Sequence, residues 1–290
     1  MENKLTFFWL FLLTGLALIF LSANSILTKA ALVTQSIDAY SFTFYRIISG
    51  AITLWALLFL KQKKLSLSKD KNWISAFMLF LYAITFSYAY INLEAGLGTL
   101  LLFGIVQLSM IIIAVYQKEK LNSQKLIGIL TAFSGLIYLL FPNEELNLSL
   151  FHCLLMIIAG IAWAVYTILG KKSKDALFNT YDNFAKATIF IVIFYFIFID
   201  ETVISSYGIL LAVISGSITS AIGYYIWYQV LPQIQIITAS IIQLIVPIIA
   251  IFLSVLFLNE QLTFTLILST VIILSGIIIA TVQKKRSLSN

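Results

Sequence analysis

Long apolar runs alternate with short polar segments along the whole chain. We distinguish ten runs of about 17–24 residues, the length at which an α-helix crosses ~30 Å of hydrocarbon. They cover approximately residues 7–28, 39–60, 73–93, 96–116, 125–141, 149–169, 183–199, 207–230, 234–257 and 263–282. This pattern predicts an all-α integral membrane protein with ten transmembrane helices.

The composition agrees with this prediction and narrows the partners. Hydrophobic residues make up 61% of the chain and charged residues 10%, and the polar segments are too short for a soluble domain. A net charge of +6 would favour nucleic acid as the partner of a soluble protein. Here the basic residues are spread over several loops, so we expect the lipid bilayer to be their partner and expect no nucleic acid.

The loop charges predict an orientation. If the N-terminus lies in the cytoplasm, the inner segments hold the basic clusters: Lys61, Lys63, Lys64, Lys69, Lys71, Lys118, Lys120, Lys125, Lys171, Lys172, Lys174, Lys284, Lys285 and Arg286. The outer segments then hold Asp38, Glu94, Glu144, Glu145, Asp200, Glu201 and Glu260. Because cytoplasmic loops retain Lys and Arg, we expect a multi-pass protein of the cytoplasmic membrane with both termini inside.

An internal repeat divides the chain into two halves. Lys118-Glu119-Lys120-Leu121 precedes a run with Ser134-Gly135, and Asn259-Glu260-Gln261-Leu262 precedes Ser275-Gly276 at the same offset. Only the first loop carries lysines, so the two loops are assigned to opposite faces of the membrane. Two inverted five-helix repeats follow, at residues 1–141 and 149–283, with a cytoplasmic tail at 284–290.

The chain resembles the EamA-type permeases of the drug/metabolite transporter superfamily. The matching stretches are Ala162-Trp163-Ala164, Gly170-Lys171-Lys172, the stretch from Tyr225 to Leu231, Ala239-Ser240, Pro247 and Leu258-Asn259-Glu260. The resemblance implies a substrate site lined by helices 1, 3, 4, 6, 8 and 9. Members often carry a proline in helix 4 that matches Pro247 in helix 9, whereas this chain has Val106 there.

Polar groups deep in apolar runs are candidate substrate contacts. Pro247 lacks an amide hydrogen and predicts a kink in helix 9 that frees the carbonyl of Gln243. Gln107 in helix 4 lies in a similar local sequence, and Asn24 lies in helix 1. Each amide binds substrate or forms a hydrogen bond between helices, because unsatisfied polar groups in lipid cost several kcal/mol.

Aromatic residues form a second group of candidates. Tyr82, Trp163 and Tyr224 lie deep in the predicted helices, and Tyr166 and Trp227 are further aromatic candidates in helices 6 and 8. Interfacial belts also enrich Trp and Tyr, so belt positions are the alternative interpretation. Together these side chains predict an amphipathic pocket that stacks on flat groups or holds a cation.

The charges inside the predicted runs are basic, and Lys29 lies at the end of the first run. Lys29 and Arg46 are expected either to line an electropositive outer vestibule that attracts a carboxylate, or to extend to lipid headgroups. No Asp or Glu falls within a predicted run, and a buried carboxylate is the usual device for proton coupling. Proton coupling and facilitated downhill transport therefore both remain open.

These features predict a secondary transporter that exports a small, amino-acid-sized metabolite by alternating access. The alternative is efflux or uptake of aromatic or quaternary-ammonium compounds, since the predicted pocket is rich in aromatic rings. An intramembrane enzyme would need paired acids, a histidine cluster or metal ligands, and the chain has one histidine and one cysteine. We therefore expect no catalytic residues, no metal and no cofactor.

Overall fold

The computed structural model describes residues 6–62, 73–116, 123–141, 149–171, 173, 175–198, 202–234, 239 and 242–281. Glu119, most of the basic clusters, Asp200, Glu201, and the tail at 284–290 lie outside the described residues. Within the described part the regular structure is helical, apart from one bridge between Ile37 and Ile204.

Ten helices follow one another in the described part of the chain. They are α1 (Phe7–Val33), α2 (Ala39–Gln62), α3 (Trp73–Ala89), α4 (Ala95–Tyr116), α5 (Ser123–Leu140), α6 (Leu150–Lys171), α7 (Ala176–Phe198), α8 (Ser206–Gln233), α9 (Ile245–Leu258) and α10 (Phe264–Thr281). Each predicted run overlaps one of them, so the all-α prediction is confirmed. Helices α1, α2, α4, α5, α6 and α8 are long and apolar enough to cross a membrane.

The surface of the bundle is apolar, unlike that of a soluble protein, and some polar side chains are buried inside it. Large apolar side chains such as Phe196 (80% exposed), Phe252 (67%) and Ile112 (62%) face outwards, while polar side chains such as Asn24 and Ser220 are fully buried. In water such a surface would drive aggregation, whereas hydrocarbon solvates it. The protein is therefore of the membrane type.

Helix α8 is not uniform. An α-helical part at Ser206–Ile214 continues into a π-helical segment at Ser215–Ile222, then into a second α-helical part at Gly223–Val230. The π segment packs closely on α2: a Cβ atom on Gly216 would lie 2.2 Å from the carbonyl oxygen of Arg46. Glycine is thus required where these helices cross.

Helices from the two predicted halves pack on one another in reciprocal pairs. In the predicted repeat, α1 corresponds to α6, α3 to α8 and α4 to α9. Helix α3 packs on α6, and the corresponding helix α8 packs on α1. In the same way α4 packs on α6, and α9 packs on α1. Helices α2 and α7, α4 and α9, and α5 and α10 form three further pairs. In the last pair, added Cβ atoms on Gly128 and Gly276 would each lie 2.3 Å from a backbone nitrogen of the other helix.

Candidate functional site

Arg46 of α2 lies at the centre of a buried polar cluster. Its side chain is 2% exposed. Its Nε donates to the Ser220 hydroxyl of α8 at 2.9 Å, and its Nη2 donates to the hydroxyls of Tyr224 at 2.9 Å and Tyr82 at 3.4 Å. One guanidinium therefore joins α2, α3 and α8.

Aromatic rings enclose this guanidinium. The ring of Trp163, from α6, lies between Tyr82 and Tyr224, with centroid distances of 4.9 and 4.8 Å. The central carbon of the Arg46 guanidinium is 5.2 Å from the ring centroid of Phe86 and 5.5 Å from that of Tyr82. Such cation–π contacts stabilise a buried positive charge but do not neutralise it.

Asn24 of α1 joins the cluster through the π segment of α8. Its Oδ1 accepts hydrogen bonds from Ser215 at 2.8 Å, Thr219 at 2.6 Å and Ser220 at 3.1 Å. In an α-helix the third of these hydroxyls would point about 140° away from the first. The wider i→i+5 turn of a π-helix brings all three onto one face. We refer to the group formed by Asn24, Arg46, Tyr82, Trp163, Ser220 and Tyr224 as the Arg46 cluster.

The unused polar groups of the Arg46 cluster are donors. Among the described residues, Arg46 Nη1, Asn24 Nδ2 and Trp163 Nε1 are buried without a hydrogen-bond partner. The Tyr82 hydroxyl accepts from Arg46 and from Tyr224, each at 3.4 Å. Buried donors without partners destabilise a protein, so this arrangement calls for a ligand that accepts hydrogen bonds.

The charge of Arg46 is also uncompensated. No carboxylate of the described residues lies within 4.0 Å of its guanidinium. Elsewhere in the described part, on α7, Lys186 forms an ion pair with Asp182 at 2.5 Å. This pair lies in a helix that is longer than its predicted apolar run. Helix α7 begins at Ala176 rather than near residue 183, so a buried acid, Asp182, does lie within a helix.

The remaining predicted site residues lie outside the Arg46 cluster. Tyr166 borders it, 5.6 Å from Trp163 between ring centroids. Trp227 is fully buried on α8 and makes no ring contact with the cluster in the described residues. Gln107 and Gln243 are buried in α4 and before α9, and the latter donates to the Ala239 carbonyl at 3.4 Å. Among the described residues, this hydrogen bond of Gln243 stays next to its own helix and does not reach the cluster.

Pro247 lies in the first turn of α9, two residues after the helix begins at Ile245. A turn at Leu244 separates α9 from the helical residues just before it. A proline in a first turn costs no helical hydrogen bond, because the first amide groups of a helix have no partner within it. The nearby Val246 carbonyl accepts a hydrogen bond from Ser22 of α1 at 3.1 Å.

A second group of charges lies where α9 ends and α4 begins. Asn259 adopts a left-handed conformation (φ 53°) and ends α9, which turns the chain so that Glu260 reaches α4. The Glu260 carboxylate accepts the amide hydrogens of Ala95 at 2.5 Å and Gly96 at 3.0 Å. A loop of the second predicted half thus caps a helix of the first, where the positive helix end favours an anion.

Lys29 belongs to this second group and not to the Arg46 cluster. Its Nζ donates to the Tyr90 carbonyl oxygen at 3.2 Å, and the side chain is buried. Partial burial raises the pKa of Glu94 and the nearby Glu260 raises it further, while Lys29 acts in the opposite direction. Lys29 and Arg46, which the sequence predicts to line one vestibule, therefore lie in two different groups of polar residues.

Comparison with known proteins places the chain in a family. A model described as the EamA-like transporter family matches it twice, over residues 8–141 and 150–282. The chain belongs to this family. The resemblance inferred from the sequence is thereby confirmed, and the protein is a transporter of the drug/metabolite superfamily.

Relatives of this EamA-like transporter extend over almost its whole length. An uncharacterized protein of Pseudomonas aeruginosa is 39% identical over 266 residues, which are 92% of each chain. The uncharacterized transporter YoaV of Bacillus subtilis is 29% identical over 83% of this chain and 86% of its own. A solved crystal structure at 18% identity superposes with a TM-score of 0.66, covering 95% of this chain and 98% of the other, and shows the fold alone.

Sequence reasoning missed several parts of this EamA-like transporter's site. The hydroxyls of Ser215, Thr219 and Ser220 lie among small residues, where close helix packing is the usual interpretation. Phe86, whose ring contacts the guanidinium, is an apolar residue in an apolar run, so its sequence position did not indicate a role in the site. The spacing of the three hydroxyls on a π segment could be identified only from the backbone. The described residues contain no group of three or more His, Cys, Asp or Glu that could hold a metal ion.

Proposed function

We propose that this EamA-like transporter is a secondary transporter that exports a small metabolite of amino-acid size by alternating access. The observation that carries the proposal is the composition of the Arg46 cluster. Helices α1, α2 and α3 belong to the first predicted half, and α6 and α8 belong to the second. A site between two halves is one that their relative movement can open to either side of the membrane.

The proposal includes ten transmembrane helices arranged as two inverted repeats, at residues 1–141 and 149–283. The reciprocal packing of α3 on α6 and α8 on α1 supports this arrangement, since such exchange is expected of two related halves. The charge distribution supports the cytoplasmic membrane as the location, with both termini inside.

The topology can be tested by cysteine labelling in intact cells. In a Cys153→Ser background, single cysteines are introduced as Gln261→Cys, beyond α9, and Ser123→Cys, at the start of α5. A membrane-impermeant maleimide should label the first in intact cells and the second only after permeabilisation. Labelling of both positions from the same side would contradict the inverted arrangement.

Transport itself can be tested with purified protein in liposomes. Vesicles preloaded with each of a panel of unlabelled amino acids, organic acids and aromatic amines are given a trace of the labelled compound outside. Counterflow of at least one compound is expected, with protein-free vesicles as the control. Absence of counterflow for every class of solute would count against a transporter of small metabolites.

The aromatic rings of the Arg46 cluster favour a second candidate, the transport of aromatic compounds. The rings of Trp163, Tyr82 and Tyr224 pack on one another beside the guanidinium, and a flat substrate would pack on them once the two halves move apart. Quaternary-ammonium compounds fit less well, because the nearby guanidinium would repel them. The same counterflow panel separates these possibilities, since it includes aromatic amines with and without a permanent charge.

Proton coupling is a separate part of the proposal. Asp182 is a buried acid in α7, but Lys186 already holds it in an ion pair. We therefore expect facilitated, downhill transport. An imposed pH gradient across the liposomes should drive no accumulation above the equilibrium concentration; accumulation that Asp182→Asn abolishes would contradict this.

A further inference from the structure

The Arg46 cluster offers donors and a positive charge, and these define the ligand chemistry that it can satisfy. A guanidinium has five N–H hydrogens. Three are used in bonds from Nε and Nη2, and the two on Nη1 have no partner within the described residues. Since the buried atoms of the cluster that lack a partner are all donors, and no acid of the described residues belongs to it, a ligand with hydrogen-bond acceptors and negative charge fits it.

The other unused groups surround the same guanidinium. Asn24 and Arg46 both bond to the Ser220 hydroxyl, so the free Nδ2 of the amide belongs to the same network. The indole of Trp163 contacts both tyrosines that Arg46 binds, and its Nε1 is also free. Polar donors are therefore placed beside flat aromatic faces.

From this arrangement we infer that the transported substrate is an organic carboxylate with a flat apolar body, whose carboxylate is held by Arg46 and Tyr82 while its body packs on Trp163. The inference rests on the proposed function and specifies its substrate class. The guanidinium of Arg46 would repel an ammonium group, and no carboxylate of the described residues lies within 4.0 Å of it to offset that repulsion. Aromatic acids and aromatic amino acids should both bind, and the corresponding amines should not.

Three matched probes test the inference: 3-phenylpropanoate, phenylalanine and 2-phenylethylamine share one ring and differ in which charged group they carry. Binding is measured first, as a ligand-induced rise in the melting temperature of purified protein in detergent. The two carboxylates should raise it and the amine should not. Counterflow in liposomes then measures transport of the same three compounds.

Two variants connect the binding to the proposed groups. Arg46→Gln should weaken binding of 3-phenylpropanoate at least tenfold, and Tyr82→Phe, which keeps the guanidinium, should weaken it severalfold. Tyr88→Phe, on the same helix and outside the cluster, is the matched control and should bind as the wild type does. Because Arg46→Gln could fail to fold, Tyr82→Phe keeps the test decisive.

The outcomes separate this inference from the proposed function. If carboxylates bind but no compound shows counterflow, the inferred ligand class stands and the proposed transport function is contradicted. If 2-phenylethylamine shows the same counterflow as the two carboxylates, the proposed transport function stands and the inferred substrate class is overturned. Unchanged affinity in both Tyr82→Phe and a folded Arg46→Gln, or no binding by any aromatic carboxylate, would also overturn it.

Discussion

Two buried cations in this bundle have opposite surroundings. Lys186 of α7 is bonded to a carboxylate four residues earlier on its own helix, Asp182. Arg46 of α2 is equally buried, but its partners are neutral hydroxyls from other helices. Both side chains carry a charge that is costly to remove from water. Only in the first case does a described residue of the protein supply the opposite charge.

This difference separates a structural role from a functional one. A paired ion is complete without a ligand, and breaking it leaves one buried charge unpaired. A cation with neutral partners keeps capacity to bind a ligand of opposite charge. Hydroxyl partners suit that role, because a tyrosine or serine can also turn its own hydrogen towards an arriving anion.

The strongest test of the comparison breaks the pair in α7. Lys186→Met leaves the Asp182 carboxylate buried without its partner, and this should lower the free energy of unfolding by about 3–5 kcal/mol. Adding Asp182→Asn should restore most of the loss, since no charge then remains. Thermal unfolding in detergent measures both variants. A double variant as unstable as the single one would show that the pair is not a self-contained unit.

The second test removes the charge of the other cation. Arg46→Gln should reduce counterflow of the transported substrate by about 10- to 100-fold, because a hydrogen bond to a charged group contributes ~1.5–3 kcal/mol. Its loss of stability should be smaller than that of Lys186→Met, since no opposite charge is left behind. If the order of the two stabilities is reversed, Arg46 is primarily structural.

A smaller effect is expected from the aromatic face beside the guanidinium. Trp163→Phe should raise the half-saturating substrate concentration by up to about tenfold, because an aromatic contact contributes ~0.5–1.5 kcal/mol. Trp227→Phe is a matched replacement on α8 outside the Arg46 cluster, and its effect should be smaller. Concentration dependence of counterflow measures both, and equal effects would extend the site towards Trp227.

The smallest effect is expected from Glu94, the acid beside a third buried cation, Lys29. Glu94 lies near it, and burial raises the pKa of that carboxyl. The folded protein therefore favours the protonated form, so this group stabilises the fold at low pH, and the contribution is lost as the pH rises through its folded-state pKa. Between about pH 4 and pH 7 the melting temperature of Glu94→Gln should fall less than that of the wild type.

Much of the Arg46 cluster could be predicted from the sequence, for a physical reason. Asn24, Tyr82, Trp163 and Tyr224 lie deep in apolar runs, where a polar group must find a partner. Their type and depth therefore identify them as interior. The helices could be predicted on similar grounds, because uninterrupted apolar runs have few structures available in lipid.

The position of Arg46 could not be predicted in the same way. Eight residues from Asp38, it lies within reach of a predicted interface, and a long basic side chain there can extend to headgroups. Nor could Asp182 be assigned, because the polar residues before it obscured the start of α7. The π segment could not be predicted either, because a run identified by its overall hydropathy carries no information on the number of residues in each turn.

The contact between Glu260 and the start of α4 has a consequence for kinetics. Any conformational change that separates α4 from the loop after α9 must break two hydrogen bonds to a carboxylate, at about 1.5 kcal/mol each in a partly exposed site. The separated form would then be populated by roughly one molecule in a hundred. If each transport cycle passes through that form, the two hydrogen bonds made by this carboxylate add to the energy barrier of the cycle. Glu260→Gln would then speed transport.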